Sequence, residues 1–243
     1  VKVAERTVKS KGEDDEIFKL EYISGGITST PELSLLEAKK EVAKFAELTF
    51  KMHHRTHDLI NESDAKKQVK LVKKITKFED ITDRLETEIA NYLGSVSASE
   101  LSEESSSELR SMLSITNDLE RIGDIYFEIA KSTEKKSESK LWFDQKQRDN
   151  LNDMLKGVEE AFDVMLKNLN GKYADVNMDE ARRLENSINE KRNKIRKKHL
   201  KSMEKKEYNA QSGLIYSNIF SGIERVGDHI INVSEAASGI NLN

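Results

Sequence analysis

The hexamer Leu119-Glu120-Arg121-Ile122-Gly123-Asp124 returns about a hundred positions later as Ile223-Glu224-Arg225-Val226-Gly227-Asp228. A repeat on this scale constrains the fold more than any single motif, because each copy must build the same unit. A looser pair keeps step with it: Phe78-Glu79-Asp80-Ile81-Thr82-Asp83, then Leu184-Glu185-Asn186-Ser187-Ile188-Asn189. Glu79 and Glu185 lie 106 positions apart, and Glu120 and Glu224 lie 104 apart. Two landmarks hold their spacing, so the chain reads as one unit written twice.

The unit is helical. In the first half, Leu71, Ile75, Phe78, Thr82, Leu85, Ile89 and Tyr92 advance by alternating steps of four and three, the seam of a packed helix. Met112, Ile115, Leu119, Ile122, Tyr126 and Ile129 form a second seam, and Ile219, Ile223, Val226, Ile230, Val233 and Ala237 form its counterpart. A chain with 36% hydrophobic and 35% charged residues and a single proline suits long amphipathic helices with wet outer faces, not a β-rich fold. Thr30-Pro31-Glu32 is a helix start, with a hydroxyl cap, proline in the first turn and an acid near the positive end.

Six helices follow: 31–60, 65–93, 100–131, 142–169, 177–205 and 208–237, with Gly94 to Ser99 breaking the second. The expected fold is all-α, two tandem three-helix bundles. Its domains are a linker at 1–29, a first repeat at 30–133, a linker at 134–141 and a second repeat at 142–240. The first 29 residues carry the charge run Lys9 to Glu16 and an alternation of Phe18, Leu20 and Tyr22, an extended piece that packs on something.

The absence of cysteine excludes disulfides, thiolate metal sites and thiol nucleophiles. A net charge of −4 gives no overall drive toward nucleic acid. No apolar run reaches the ~18 residues of a transmembrane helix, and there is no signal-peptide pattern. Val1 in place of a starting Met reads as a processed chain or a fragment.

Residues four apart share a helix face, so Glu79 and Asp83, Glu120 and Asp124, and Glu224 and Asp228 each form an acidic pair. At about 100° per residue, each pair falls more than a right angle from its apolar seam. They are expected as acidic strips on an outer face, shared where the helices lie side by side. Such acids are ordinarily only solvated. Against that stand their recurrence in both halves, the repulsion of roughly 0.2–0.5 kcal/mol in each like-charged pair, and the mid-helix glycines beside them, at ~1 kcal/mol each. Clustered carboxylates suit hard or borderline cations such as Mg, Mn, Ca or Fe.

At these residues the chain resembles the PhoU family, whose hallmark is an acidic E(D)xxxD motif on two three-helix repeats. The resemblance covers residues 31 to 238. It implies metal bound on the surface, iron or zinc before manganese or magnesium. Glu79, Asp83, Glu120 and Asp124 would form one cluster, and Glu185, Glu224 and Asp228 the other. Asn189 stands where the pattern has Asp, which leaves the second cluster one carboxylate short. Phe18 to Ile23 followed by Ser29 to Lys40 is similar to the junction between the membrane domain of bacterial sodium–phosphate cotransporters and their cytoplasmic PhoU-like domain.

The resemblance therefore implies a metal-binding, non-enzymatic regulatory domain at the cytoplasmic face of the cell membrane. Its partner would be the transporter's own membrane domain, with no nucleic acid and with a homodimer left open. The alternative is a free-standing phosphate-signalling adaptor. A di-iron bundle enzyme needs Glu-x-x-His pairs, and no histidine here has a Glu three residues before it.

Other features have simpler readings. His53 and His57 have metal-compatible spacing but no third ligand nearby. Lys191 to Lys206 is either a solvated helix end or a surface for lipid headgroups or an acidic partner. Arg121 and Arg225 offset carboxylate charge or contact phosphate. Trp142 is expected as a packing anchor opening the fourth helix.

Overall fold

The computed structural model describes residues 20–28, 30–171, 176 and 178–239. Six α-helices account for most of them: α1 (Pro31–Asn61), α2 (Ala65–Val96), α3 (Glu103–Glu138), α4 (Gln145–Asn170), α5 (Met178–Glu204) and α6 (Ala210–Ser238). Their starts are chemically marked. The Thr30 and Ser102 hydroxyls and the Asp64 carboxylate accept first-turn N–H groups, and Asp144 forms a reciprocal capping box with Gln147. At the far end, Gly239 closes α6 in the left-handed region (φ 76°).

Helices α1, α2 and α3 pack together as one bundle and α4, α5 and α6 as another, and the most extensive contact of all joins α3 to α6. That is what the two strongest seams are for. Every seam residue predicted on α3 and α6 is buried, around Tyr126, Phe220 and, from the neighbouring helices, Phe45 and Phe162. Polar links fix the register: Asp118 of α3 accepts from Asn232 of α6 and meets His229 Nδ1 at 2.8 Å, and Arg225 meets Glu128 at 2.6 Å. None of the described helices is long and apolar enough to cross a membrane.

Four expectations are corrected. Gly94 does not break α2, which continues to Val96. Its α-carbon faces open space, so the helix bears only the glycine's intrinsic cost. Residues 134–138 of the expected linker belong to α3, held by burial of Thr133 and by Lys135 and Lys136 in the negative last turn. Helix α3 also begins later than expected, at Glu103. Trp142 precedes α4 and is 78% exposed, while its neighbour Phe143 supplies the anchor.

Phe18 and the run Lys9 to Glu16 lie outside the described residues. The segment 20–28 docks on α1, where Glu41, fully buried, accepts the backbone N–H groups of Glu21 and Tyr22 at 2.9 and 2.8 Å.

Candidate metal centre

The first acidic cluster sits where α2 meets α3, and Gly123 sets their approach. A Cβ on Gly123 would lie 2.7 Å from Thr82 Oγ1, inside any real contact. Thr82 stands between Glu79 and Asp83, and Gly123 beside Asp124, so the missing side chain draws the two acidic faces together. One carboxylate oxygen from each of Glu79, Asp83 and Asp124 lies within 4.8 Å of the other two. A cation with bonds of roughly 2.0–2.5 Å keeps its ligands no further apart than about twice that length, so the three oxygens match one ion.

Like charges crowd the cluster. Burial, then Asp83, Asp80 and Asp124, raise the Glu79 carboxyl. Burial, then Asp124 and neighbouring acids, raise Asp83. Glu120 is pushed up to about 7, first by burial and then by Asp124. The Arg121 guanidinium lies 3.6 Å from Glu120 and 3.3 Å from Asp124, and it is half exposed. Glu120 thus flanks the three converging acids without joining them. The donor set is all oxygen and anionic, which fits a hard or borderline cation.

The second cluster repeats the frame with different chemistry. A Cβ on Gly227 would meet Ile188 Cδ1 at 3.2 Å, and Ile188 holds the place of Thr82 between Glu185 and Asn189. Here the Asn189 amide donates to Glu185, and the Arg192 guanidinium donates to Glu224 in a close ion pair. Asp228 is pushed up to about 6 by burial, Glu224 and Glu185, with His229 and Arg192 pulling it back. Among the described residues, Glu185, Glu224 and Asp228 form no converging group like the first.

Sequence reasoning missed Arg192. It follows Glu185 by seven positions, two turns along the same face, and it falls where the first repeat has Glu86. Placing it in a general basic stretch hid that match.

Asp83 faces outward as expected, but the outward placement is corrected for Glu224 and Glu120. Glu224 is 9% exposed and the Glu120 side chain 19%; both line grooves between helices. Measuring angles from one seam treats a helix as having one neighbour, whereas α6 packs against α3, α4 and α5. The two repeated arginines part company: Arg121 stays with its own acids, and Arg225 turns to Glu128.

His53 is a core residue. Its Nδ1 lies 2.8 Å from the Tyr126 hydroxyl, its ring packs near Phe50 and Phe162, and burial, with His54 and His57, lowers its pKa to about 3. His54 points to solvent, and no histidine cluster forms among the described residues.

The sequence profile of the PhoU domain matches twice, over residues 42–133 and 151–237. The chain belongs to the PhoU family. A PhoU relative, the phosphate-specific transport system accessory protein PhoU homolog 1 of Thermotoga maritima, is 29% identical over 212 residues, 84% of each chain. The PhoU fold recurs in the crystal structure of the phosphate transport system regulatory protein PhoU from Streptococcus pneumoniae (TM-score 0.71, 19% identity, 86% of this chain and 95% of that one). It recurs again in PhoU from Pseudomonas aeruginosa (TM-score 0.74, 17% identity, 85% and 96%).

Proposed function

We propose that this PhoU-family chain is an accessory regulator of phosphate transport, working as an adaptor that binds other proteins. The observation that carries this reading is the match over 84% of both chains to a protein described as an accessory component of a phosphate-specific transport system. The same match favours the adaptor over the cytoplasmic tail of a sodium–phosphate cotransporter. The two repeats at 30–138 and 142–239 are its two structural units, joined along α3 and α6.

The proposed metal site is the α2/α3 cluster, with Glu79, Asp83 and Asp124 as ligands and Glu120 beside them. A cation bound there would supply positive charge and tie α2 to α3. The residues do the rest. Thr82, by its hydroxyl bond of 2.8 Å to the Glu79 carbonyl, and Gly123, by its lack of a side chain, set the distance between the acid-bearing faces. Arg121 partly balances Glu120 and Asp124 from the solvent side. In the α5/α6 cluster, Glu185, Glu224 and Asp228 are balanced from within by Asn189 and Arg192, and no resident metal is proposed there.

The test is phosphate uptake in cells lacking the gene. Uptake should stop adjusting to external phosphate, and the intact gene should restore the adjustment. Unchanged uptake across the phosphate range in the deletion strain would refute the reading.

A further inference from the structure

All six helices bring one terminus to a common end of the molecule. Asn61, at the end of α1, exchanges hydrogen bonds of 2.8 and 3.0 Å with Asn152 of α4. Gln68, in the first turn of α2, takes the Ser137 hydroxyl of α3 at 2.6 Å. Ser212, in the first turn of α6, bonds the Trp142 carbonyl at 3.4 Å, and His199 near the end of α5 meets Tyr208 before α6. The segments that converge here, 57–74, 134–150 and 194–214, hold 17 of the chain's 40 Lys and Arg but only 9 of its 44 Asp and Glu. The molecule is acidic overall and basic at one end.

That end also has an apolar tip. Trp142 is 78% exposed, Leu214 62% and Leu200 53%. Lys140, Arg196, Lys197, Lys201, Lys205 and Lys206 lie at the same end of the helices, all exposed. An uncovered tryptophan on an end rich in long cationic side chains is the chemistry of a membrane interface. The indole favours the headgroup level, the lysine stems lie along apolar surface, and their ammonium groups meet anionic phosphates. These cations come from the last turns of α5 and from two loops, on flexible stems. They offer charge without fixed geometry, which suits a laterally mobile lipid surface better than the rigid face of one acidic protein.

We propose that this end, with Trp142 at its tip, docks on the surface of a bilayer rich in anionic lipid. The contact is peripheral and is distinct from the α2/α3 acids. Resting on the reading of the chain as a phosphate-transport regulator, it provides a way to hold that regulator beside a membrane.

Trp142 is the only tryptophan in the chain, so the protein carries its own probe. Its emission should shift to the blue on adding vesicles with half phosphatidylglycerol in phosphatidylcholine, but not with phosphatidylcholine alone. Salt near ~0.5 M should reverse the shift through screening. The Lys201→Glu/Lys205→Glu/Lys206→Glu variant should co-sediment with the anionic vesicles at least tenfold less. Trp142→Ser, which removes an exposed side chain without disturbing the core, should lose several-fold by the same assay. No blue shift at low salt, or equal binding to both vesicle types, would overturn the proposal. So would co-sedimentation without a change in emission, which puts the contact elsewhere. Retention on immobilised polyglutamate without vesicle binding would replace the bilayer with an acidic protein partner.

Discussion

The α2/α3 and α5/α6 clusters share a frame and differ in how they handle charge. In both, a mid-helix glycine lets a neighbouring helix come close, and acids flank the contact. In the first, Glu79, Asp83 and Asp124 converge, and the half-exposed Arg121 guanidinium meets Glu120 and Asp124. The second has exchanged one acid for Asn189 and placed Arg192 against Glu224. Duplication supplied two equivalent grooves; two or three side chains decide whether a groove needs an outside cation or holds its own. A shared backbone therefore does not imply a shared ligand.

The largest expected effect follows directly. Glu79→Gln/Asp83→Asn/Asp124→Asn should lower affinity for the proposed metal by about 100-fold or more, since even partners behind the ligands are worth 10–100-fold. Glu185→Gln/Asp228→Asn should leave the metal content of the purified protein unchanged. Elemental analysis distinguishes them, and equal losses in the two variants would erase the proposed asymmetry. The reverse exchange sharpens the point. Asn189→Asp/Arg192→Glu rebuilds the first cluster's charge pattern and should add a second equivalent of metal.

Next in size is Arg192→Leu. Removing one partner of a fully buried pair costs roughly 3–5 kcal/mol. Here the side chains keep 23% and 11% exposure, so about 2 kcal/mol is expected, as a lower urea midpoint. Arg121→Leu, at the first cluster, should cost well under 1 kcal/mol because that arginine stands in solvent. Similar losses in both would mean that the second cluster is no more internally balanced than the first.

The glycines come third. Gly123→Ala forces a Cβ to within 2.7 Å of Thr82, which is buried and bonded to the Glu79 carbonyl. Overpacking of that kind costs roughly 1–3 kcal/mol, set against a helix-propensity gain of up to ~1 kcal/mol. A net loss is expected, together with weaker metal binding as the acidic faces separate. Gly227→Ala crowds Ile188 less, with Cδ1 at 3.2 Å and Cγ2 at an ordinary 3.4 Å, so its cost and gain should nearly cancel. Thermal unfolding of the pair would show it, and equal shifts in Tm would sink the distinction.

The fold was readable from the sequence because α3 and α6 repeat their apolar steps without interruption and bury every one of those residues. Helix ends were not, since the break signal at Gly94 is outweighed by burial of Leu93 and Val96 on either side of it, and that of residues 132–138 by burial of Thr133. The acids were readable as a repeat, but their surroundings were not. Arg192 is one cation among many until the fold lays it on Glu224. His53 belongs to a charged-looking trio until Tyr126 and Phe162 enclose it. Periodicity reports which residues face inward on one helix; which side chain from another helix meets them is tertiary information.

The smallest effect concerns the repeated arginines themselves. Arg225 reaches across from α6 to Glu128 of α3 at 2.6 Å, with both side chains half exposed or more. An exposed pair of this kind is worth roughly 0.2–1 kcal/mol and is weakened by salt. Arg225→Ala should therefore lower stability by about 0.5 kcal/mol at low ionic strength and by less at high, with metal content unchanged. Arg121→Ala should do the opposite: almost no change in stability, but modestly tighter metal binding, because a competing cation leaves Glu120 and Asp124. The same residue in the same hexamer thus serves the bundle interface in one repeat and the acid cluster in the other. A double-mutant cycle with Glu128→Ala measures the first role, and metal titration of Arg121→Ala measures the second. If Arg225→Ala changed metal binding and Arg121→Ala did not, the two clusters would have to exchange the roles given to them here.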